Sequence, residues 1–295
     1  MLRITMLLIS LAFVTGLFAT ESGFTPFSGE NQTELFSTAV GQTNFELGNL
    51  FWIAKFSGEG NVTAKLANVS YMARSTFTFA GRTVSHSQSG SGEGAFLMDA
   101  FDQTSFASFV EGNLTNSSNA NFPNASVNEE ILRENGGKLS AKTFSHGDFQ
   151  FDVRAKNLTD ITFSLPGEQR ALLFTGGGGA EGTVTVASSF ALFNEQDPIS
   201  PRVLASDTRS ISFSSTGGAN VDLTKEWNGN LSVSYHFSKP FTGDLLLKGS
   251  TSSLSTINVR GAGAPEPSLF ISMAASLAGL LALRMRKKQI SRDRF

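Results

Sequence analysis

Apolar and polar side chains alternate with a period of two along much of this chain. Leu231, Val233, Tyr235 and Phe237 alternate with Ser232, Ser234 and His236. Phe149, Phe151, Val153 and Ala155 alternate with Gln150, Asp152 and Arg154, and Phe77 and Phe79 with Thr76 and Thr78. Ile211 and Phe213 sit between serines, and Val184 and Val186 among threonine and alanine. Successive side chains of a strand point to opposite faces, so this spacing predicts strands with Phe, Val and Ile on a core and Ser, Thr and Asn in water. Gly58-Glu59-Gly60, Gly136-Gly137, Pro166-Gly167, Gly217-Gly218 and Asn228-Gly229 read as turns between them. Short antiparallel strands so spaced predict an all-β domain, an antiparallel β-sandwich or jelly-roll-like fold.

Two stretches depart from that pattern. Ser126 with Glu129 three residues on forms a capping box before Ile131 and Leu132, and Gly136 ends it, which predicts a short helix. The Asn/Ser-rich run from Asn113 to Asn124 reads as a surface loop, and Asp197 to Pro201 as a second break. Strand patterning resumes after both, so residues 20–260 are expected to be one domain.

The two ends read differently. Arg3 followed by the apolar Met6 to Val14 and a small, mixed Thr15 to Thr20 reads as a secretory signal peptide over 1–19. Near the other end, a flexible spacer at 261–264 leads into Pro265-Glu266-Pro267-Ser268. Leu269 to Leu283 is then free of charge, and Arg284, Arg286, Lys287 and Lys288 follow. As a helix those apolar residues span roughly 22 Å, short for a bilayer core of about 30 Å, and the basic side chains snorkel to make up part of the difference. Basic residues are retained on the cytoplasmic side, so 269–283 is expected to be a transmembrane helix, with 289–295 as a cytoplasmic tail and the bulk of the chain outside.

This order of a Pro-Glu-Pro tripeptide, an apolar run ending Ala278-Gly279-Leu280-Leu281-Ala282-Leu283 and the 284–288 basic cluster resembles the PEP-CTERM sorting signal of bacterial exosortase substrates. The resemblance covers 265–288 only. It implies a membrane-embedded transpeptidase of the exosortase type as partner, with Pro265, Glu266 and Pro267 as the processing signal and Arg284, Arg286, Lys287 and Lys288 as the membrane stop. It also implies an exopolysaccharide setting. The extension from Gln289 to Phe295 departs from the usual end of such tails.

Composition agrees with an exported surface protein. The whole chain has a net charge of −2, but its basic residues concentrate in the tail. Between Thr20 and Ala264 sixteen Lys and Arg face twenty-three Asp and Glu, which argues against nucleic acid as a partner. There is no cysteine, so disulfides, thiolate metal sites and cysteine nucleophiles are excluded. With 27 Phe against 2 Tyr and 2 Trp, the aromatics read mainly as core fillers.

Candidate chemistry is sparse. Gly177, Gly179 and Gly182 spell G-x-G-x-x-G, but Thr183 to Val186 after them reads as strand where a dinucleotide site needs a helix. His86 in a Ser/Gly loop, His146 in a turn before Gly147 and His236 on the polar side of its strand have no spacing that pairs them as metal ligands. Asp99 with Asp102, or Glu129 with Glu130, makes a glycosidase pair only if the fold brings the right partners together. Asn-x-Ser/Thr occurs eight times, as a chain rich in these residues produces by chance. The resulting expectation is a non-enzymatic, cofactor-free structural or adhesive protein of the cell surface or extracellular matrix. The alternative is a secreted carbohydrate-binding or carbohydrate-active β-sandwich in which Trp52 or Trp227 stacks on a sugar ring.

Overall fold

In the computed structural model the described residues are 35–79, 82–100, 103–125, 138–175, 180–194, 202–216 and 220–260. They are all-β: β1 Leu35–Glu46, β2 Phe51–Phe79, β3 Arg82–Ser91, β4 Gly94–Ala100, β5 Gln103–Val110, β6 Asn113–Ala125, β7 Lys138–Thr175, β8 Ala180–Asn194, β9 Arg202–Ser215 and β10 Val221–Arg260. All pairings are antiparallel, and the strands form one sheet in the order β4-β5-β6-β1-β7-β10-β8-β9, with β2 on β7 and β3 on β2.

The strands are not all short. β2, β7 and β10 run for 29, 38 and 40 residues. At about 3.3 Å per residue a straight strand of β10's length would reach about 130 Å, so a folded domain has to bend it. The bend lies where β7 passes Asn157, whose φ of 53° is left-handed. Beside it the register slips in both neighbours, between Phe56 and Asn61 in β2 and between His236 and Gly243 in β10. Extra residues on the flanking strands let a ribbon turn a corner. Asn157 pins it: its backbone N–H donates to Thr242 Oγ1 at 3.0 Å and its Nδ2 to the Glu59 carbonyl at 2.7 Å. Along β7 the buried positions shift from every second residue to every third at Ala155, Leu158 and Ile161, then return to period two at Phe163 and Leu165.

The corner folds the sheet onto itself, giving a sandwich-like pair of layers. The first holds β4, β5, β6, β1 and the 160–175 and 221–236 halves of β7 and β10; the second holds β3, most of β2, the other halves of β7 and β10, β8 and β9. Phe149, Phe151 and Val153 of the second layer share a core with Phe163, Leu165, Leu231 and Val233 of the first. A smaller core at the far end gathers Ala39, Leu173, Val184, Val186 and Ile257. Between the two cores runs an uncharged polar seam. Ser118 bonds Ser253 and Ser255 across the layers at 2.6 and 2.8 Å, Thr251 donates to Thr43, and Gln169 donates to Ser188 at 2.8 Å.

Several sequence expectations change here. Pro166-Gly167 and Asn228-Gly229 are not turns but lie inside β7 and β10, paired as Pro166↔Asn230 and Gly229↔Gly167. Pro166 falls where the neighbouring edge is interrupted, between the Phe51↔Ser164 and Phe45↔Gly167 pairs, which is where a strand tolerates a residue without an amide proton. Gly58-Glu59-Gly60 lies inside β2, at the corner. Asn113 to Asn124 is strand β6, not a loop, and its Leu114, Asn116, Ser118 and Ala120 are buried. Phe237 is only half-buried, with its ring 4.8 Å from Phe241. The signal peptide 1–19, the capping-box helix at 126–136 and the whole tail, Pro265, Glu266, Pro267, Arg284, Arg286, Lys287 and Lys288 included, lie outside the described residues, as do Gly136-Gly137 and Gly217-Gly218. Among the described residues no helix is long and apolar enough to cross a membrane.

Candidate functional site

The outer face of the second layer is a grid of small hydroxylated side chains across six adjacent strands, β3, β2, β7, β10, β8 and β9. One row reads Ser85, Thr76, Lys142, Thr256, Thr183, Ser214, and another reads Ser91, Ser70, Asp148, Ser250, Ser189, Thr208. Between them lie a row through Arg74, Phe144, Leu254, Thr185 and Ser212, and a row through Met72, His146, Ser252 and Ser210. Strand geometry sets the mesh at about 4.8 Å across the strands and about 6.6 Å along them. Many hydroxyls bond in cross-strand pairs: Thr76 with Ser85 at 3.0 Å, Thr78 with Thr83 at 3.1 Å, Thr185 with Ser212 at 2.9 Å, and Ser189 with Ser250 at 2.8 Å.

The middle of this face is less polar. Phe144 and His146 stand with near-parallel rings, 6.0 Å between centroids and 12° between planes, flanked by Met72 and Leu254. His146 Nε2 lies 3.0 Å from Asp148 Oδ2. Arg74 donates from Nε to Ser85 Oγ at 3.3 Å. From beneath, the buried Ser105 of β5 accepts the Arg74 amide at 3.2 Å and donates to the Phe144 carbonyl, so the opposite layer ties the neighbouring strands β2 and β7 together. The chemistry of such a face is specific: a hydroxyl both donates and accepts, and the apolar centre takes the C–H face of a ligand that is polar at its edges. Arg74, Lys142 and Asp148 are the charged side chains within these four rows; further along the same face stand Lys65, Asp152, Arg154, Asp244 and Lys248, with Arg154 Nε 3.6 Å from Asp244 Oδ1.

The other outer face carries one comparable feature. Lys55, Asp160 and His236 share a rung at the corner, with His236 Nδ1 2.8 Å from Asp160 Oδ1. The His236 hydrogen bond holds the Asp160 carboxyl below its ordinary value; burial acts the other way, and the Thr159 hydroxyl and the nearby His236 and Lys55 charges add to the lowering. Along the strands beside it, Thr162 pairs with Ser234 at 2.8 Å and Ser164 with Ser232 at 3.0 Å.

The sequence candidates are dispersed by the fold. His146 is not in a turn but mid-strand in β7, and His86 is not in a loop but exposed in β3. His236 faces solvent, as its strand parity predicts. Among the described residues no group of three His, Asp or Glu side chains is placed to hold a metal ion. Gly182 lies in β8, so the glycine-rich run leads into a strand, while Gly177 and Gly179 lie outside the described residues. So do Asp102, Glu129 and Glu130, and the Asp99 side chain. Trp227 packs partly buried against Phe45 at 6.4 Å, and Trp52 sits at the free edge of β2 against Phe163 at 6.2 Å. Neither reaches the hydroxyl grid. Phe144 and Arg74 are not legible as site residues in the sequence, because the facing of Phe144-Ser145-His146 and of the strand around Arg74 is fixed only by the register.

No family model matches the chain, and no curated protein matches it. Among solved structures it is similar, at 15% identity, to a CBM61 in complex with β-1,4-galactotriose, over 39% of this chain and 70% of that one with a TM-score of 0.09. It is similar at 8% identity to the CBM22-1–CBM22-2 tandem domain of Xyn10C from Paenibacillus barcinonensis, over 78% and 80% of the two chains with a TM-score of 0.12. It is also similar at 10% identity to an infectious bursal disease virus Gt strain structure, over 92% and 95% with a TM-score of 0.13. Overlaps this slight carry nothing over to this chain.

Proposed function

We propose that this chain is an exported, non-catalytic adhesive module whose outer hydroxyl face holds neutral polysaccharide at the cell surface or in the extracellular matrix. The observation that supports this most is the six-strand grid around Phe144. It offers donors and acceptors at a regular mesh and one apolar centre on an open face, with mostly neutral hydroxyl side chains in the rows around it, which matches a chain of pyranose rings better than a deeply enclosed ligand. Affinity gel electrophoresis of the purified protein through soluble β-glucan, galactan and dextran tests it. Retardation by at least one of them, relieved in Phe144→Ala/Leu254→Ser with circular dichroism unchanged, is the expected result. Migration unaffected by all three, or retardation that survives the double substitution, overturns it.

We propose further that the tail is the sorting signal, with Pro265, Glu266 and Pro267 gripped in extended form by an exosortase-like transpeptidase and residues 269–283 in the membrane. Two prolines without amide protons and with fixed φ favour that extended form. In a host with an exosortase, Glu266→Ala is expected to leave an uncleaved precursor in the membrane fraction by mass. Equal processing of the variant and the wild type removes this reading.

A further inference from the structure

Eight large apolar side chains are exposed among the described residues, and four of them fall within six positions of one strand: Phe51, Trp52, Ile53 and Phe56. Ile53 is the most open, at 69% exposure. This stretch of β2 pairs with Ser164 to Leu158 of β7 on one side. On its other side β3 begins only opposite Ser70, and β6 ends against β1 at the Glu46↔Asn113 pair. The β5–β6 connection closes there, with Gly48 N–H donating to the Gly112 carbonyl at 3.1 Å. Residues 51–56 therefore run past the end of their neighbours as a step in the sheet, with no strand on the outer side among the described residues.

One other open edge is capped by a side chain. At Ser232 of β10 the outward amide is taken by the Asp207 carboxylate at 3.0 Å. Past Phe56 the register slip, Gly58 with φ of 79° and Lys65 break up the β2 edge. Bulges and lysines of this kind keep strands from adding to an edge. Residues 51–54 carry no lysine and no register slip, and Lys55 with the slip at Phe56 marks the end of this open stretch among the described residues.

We propose that this step is a self-association site, in which Phe51–Phe56 of a second copy adds antiparallel to the same strand of the first. The segment is apolar on both faces, with Phe51 and Ile53 outward and Trp52 and Phe56 inward, so it is complementary to itself about a two-fold axis. Charge selects the direction. Lys55 lies at one end of the step, and Glu46 lies beyond the other, across the Leu47–Asn49 turn, where its carboxylate accepts the Asn49 side-chain amide at 2.6 Å. Antiparallel addition brings each Lys55 toward the partner's Glu46 end, whereas parallel addition sets like charges side by side.

The chain has no cysteine, so one introduced thiol reports on one contact. The full-length protein in mild detergent is examined by sedimentation velocity as wild type and Ile53→Asp, and by a short bismaleimide cross-linker as Ile53→Cys and, as an exposed control, Thr224→Cys. The proposal expects a wild-type dimer, a monomeric Ile53→Asp with unchanged circular dichroism, and cross-linked dimer from Ile53→Cys only. A monomeric wild type overturns it, as does an Ile53→Asp dimer, which would place any association elsewhere. Equal cross-linking at positions 53 and 224 also overturns it. Loss of the dimer with polysaccharide retardation intact separates this proposal from the adhesive one.

Discussion

At the scale of single residues, Asn157 does two jobs that other side chains cannot do together. Its left-handed backbone costs a Cβ-bearing residue about 1–2 kcal/mol, a cost that asparagine and glycine largely avoid. Its amide side chain adds a net hydrogen bond worth about 1 kcal/mol. Asn157→Gly is therefore expected to lose about 1 kcal/mol and Asn157→Ala about 2–3 kcal/mol in urea unfolding; equal losses would mean that φ at the corner is irrelevant. Asp160 makes a prediction about pH. Its carboxyl is held below its ordinary value chiefly by the His236 hydrogen bond, so the folded form resists protonation more than the unfolded chain does. Its stabilisation is present above the unfolded value and is lost as the pH falls through the folded one. The urea midpoint should fall between about pH 5 and pH 3 in the wild type and fall less in Asp160→Asn. Parallel curves would remove this carboxylate from the acid response.

At the scale of elements, the polar seam is the least expected part of the fold. Serines and threonines that face inward at one end of β7 and β10 face outward elsewhere with the same spelling, so the alternation of Ser253 and Ser255 with Leu254 and Thr256 reads equally well in either sense. Only cross-layer contact decides it. The seam is unevenly satisfied: Ser118 bonds both Ser253 and Ser255, whereas the hydroxyls of Ser75, Thr143 and Ser145 are buried without a partner. Deleting a partnered buried hydroxyl leaves another group unpaired, at about 1–3 kcal/mol, whereas deleting an unpartnered one removes a desolvation cost. Ser118→Ala is thus expected to lower stability and Ser75→Ala to leave it unchanged or raise it, as thermal unfolding would show. The reverse order would mean that ordered water completes the Ser75 site. What was legible in the sequence was the face of each strand, as at Phe149, Phe151, Leu231 and Val233. Its length was not, because Pro166-Gly167 and Asn228-Gly229 have the composition of turns. Gly167 is needed instead for contact, since a Cβ there would lie 2.3 Å from the Phe45 ring. The candidate face was legible only as polar positions; that six strands align them into one grid is a matter of register between segments as far apart as β2 and β9.

At the scale of the whole molecule, β7 and β10 belong to both layers, and this governs how the protein unfolds. A sandwich of two independent sheets can lose one and keep the other. Here the strands that carry Phe149 and Leu245 in one layer carry Phe163 and Leu231 in the other, across a single corner, and all four side chains share one apolar cluster. Melting either layer strips the other of its central pair. The described chain should therefore unfold in one transition, the cooperative behaviour usual for a single core. The two tryptophans report on separate places: Trp52 at the corner edge and Trp227 beside Phe45, near the far end of the same ribbon. Fluorescence of Trp52→Phe and Trp227→Phe variants, each leaving one reporter, should give urea midpoints that coincide with each other and with the far-ultraviolet circular dichroism. Refolding should be slow, on the order of milliseconds to seconds or longer, because the central pairing joins residues far apart in sequence, such as Leu139 with Val259, before local contacts can reward it. Separate midpoints for the two tryptophans would show that the corner is a hinge between two folding units, and the shared-ribbon account of the fold would fail.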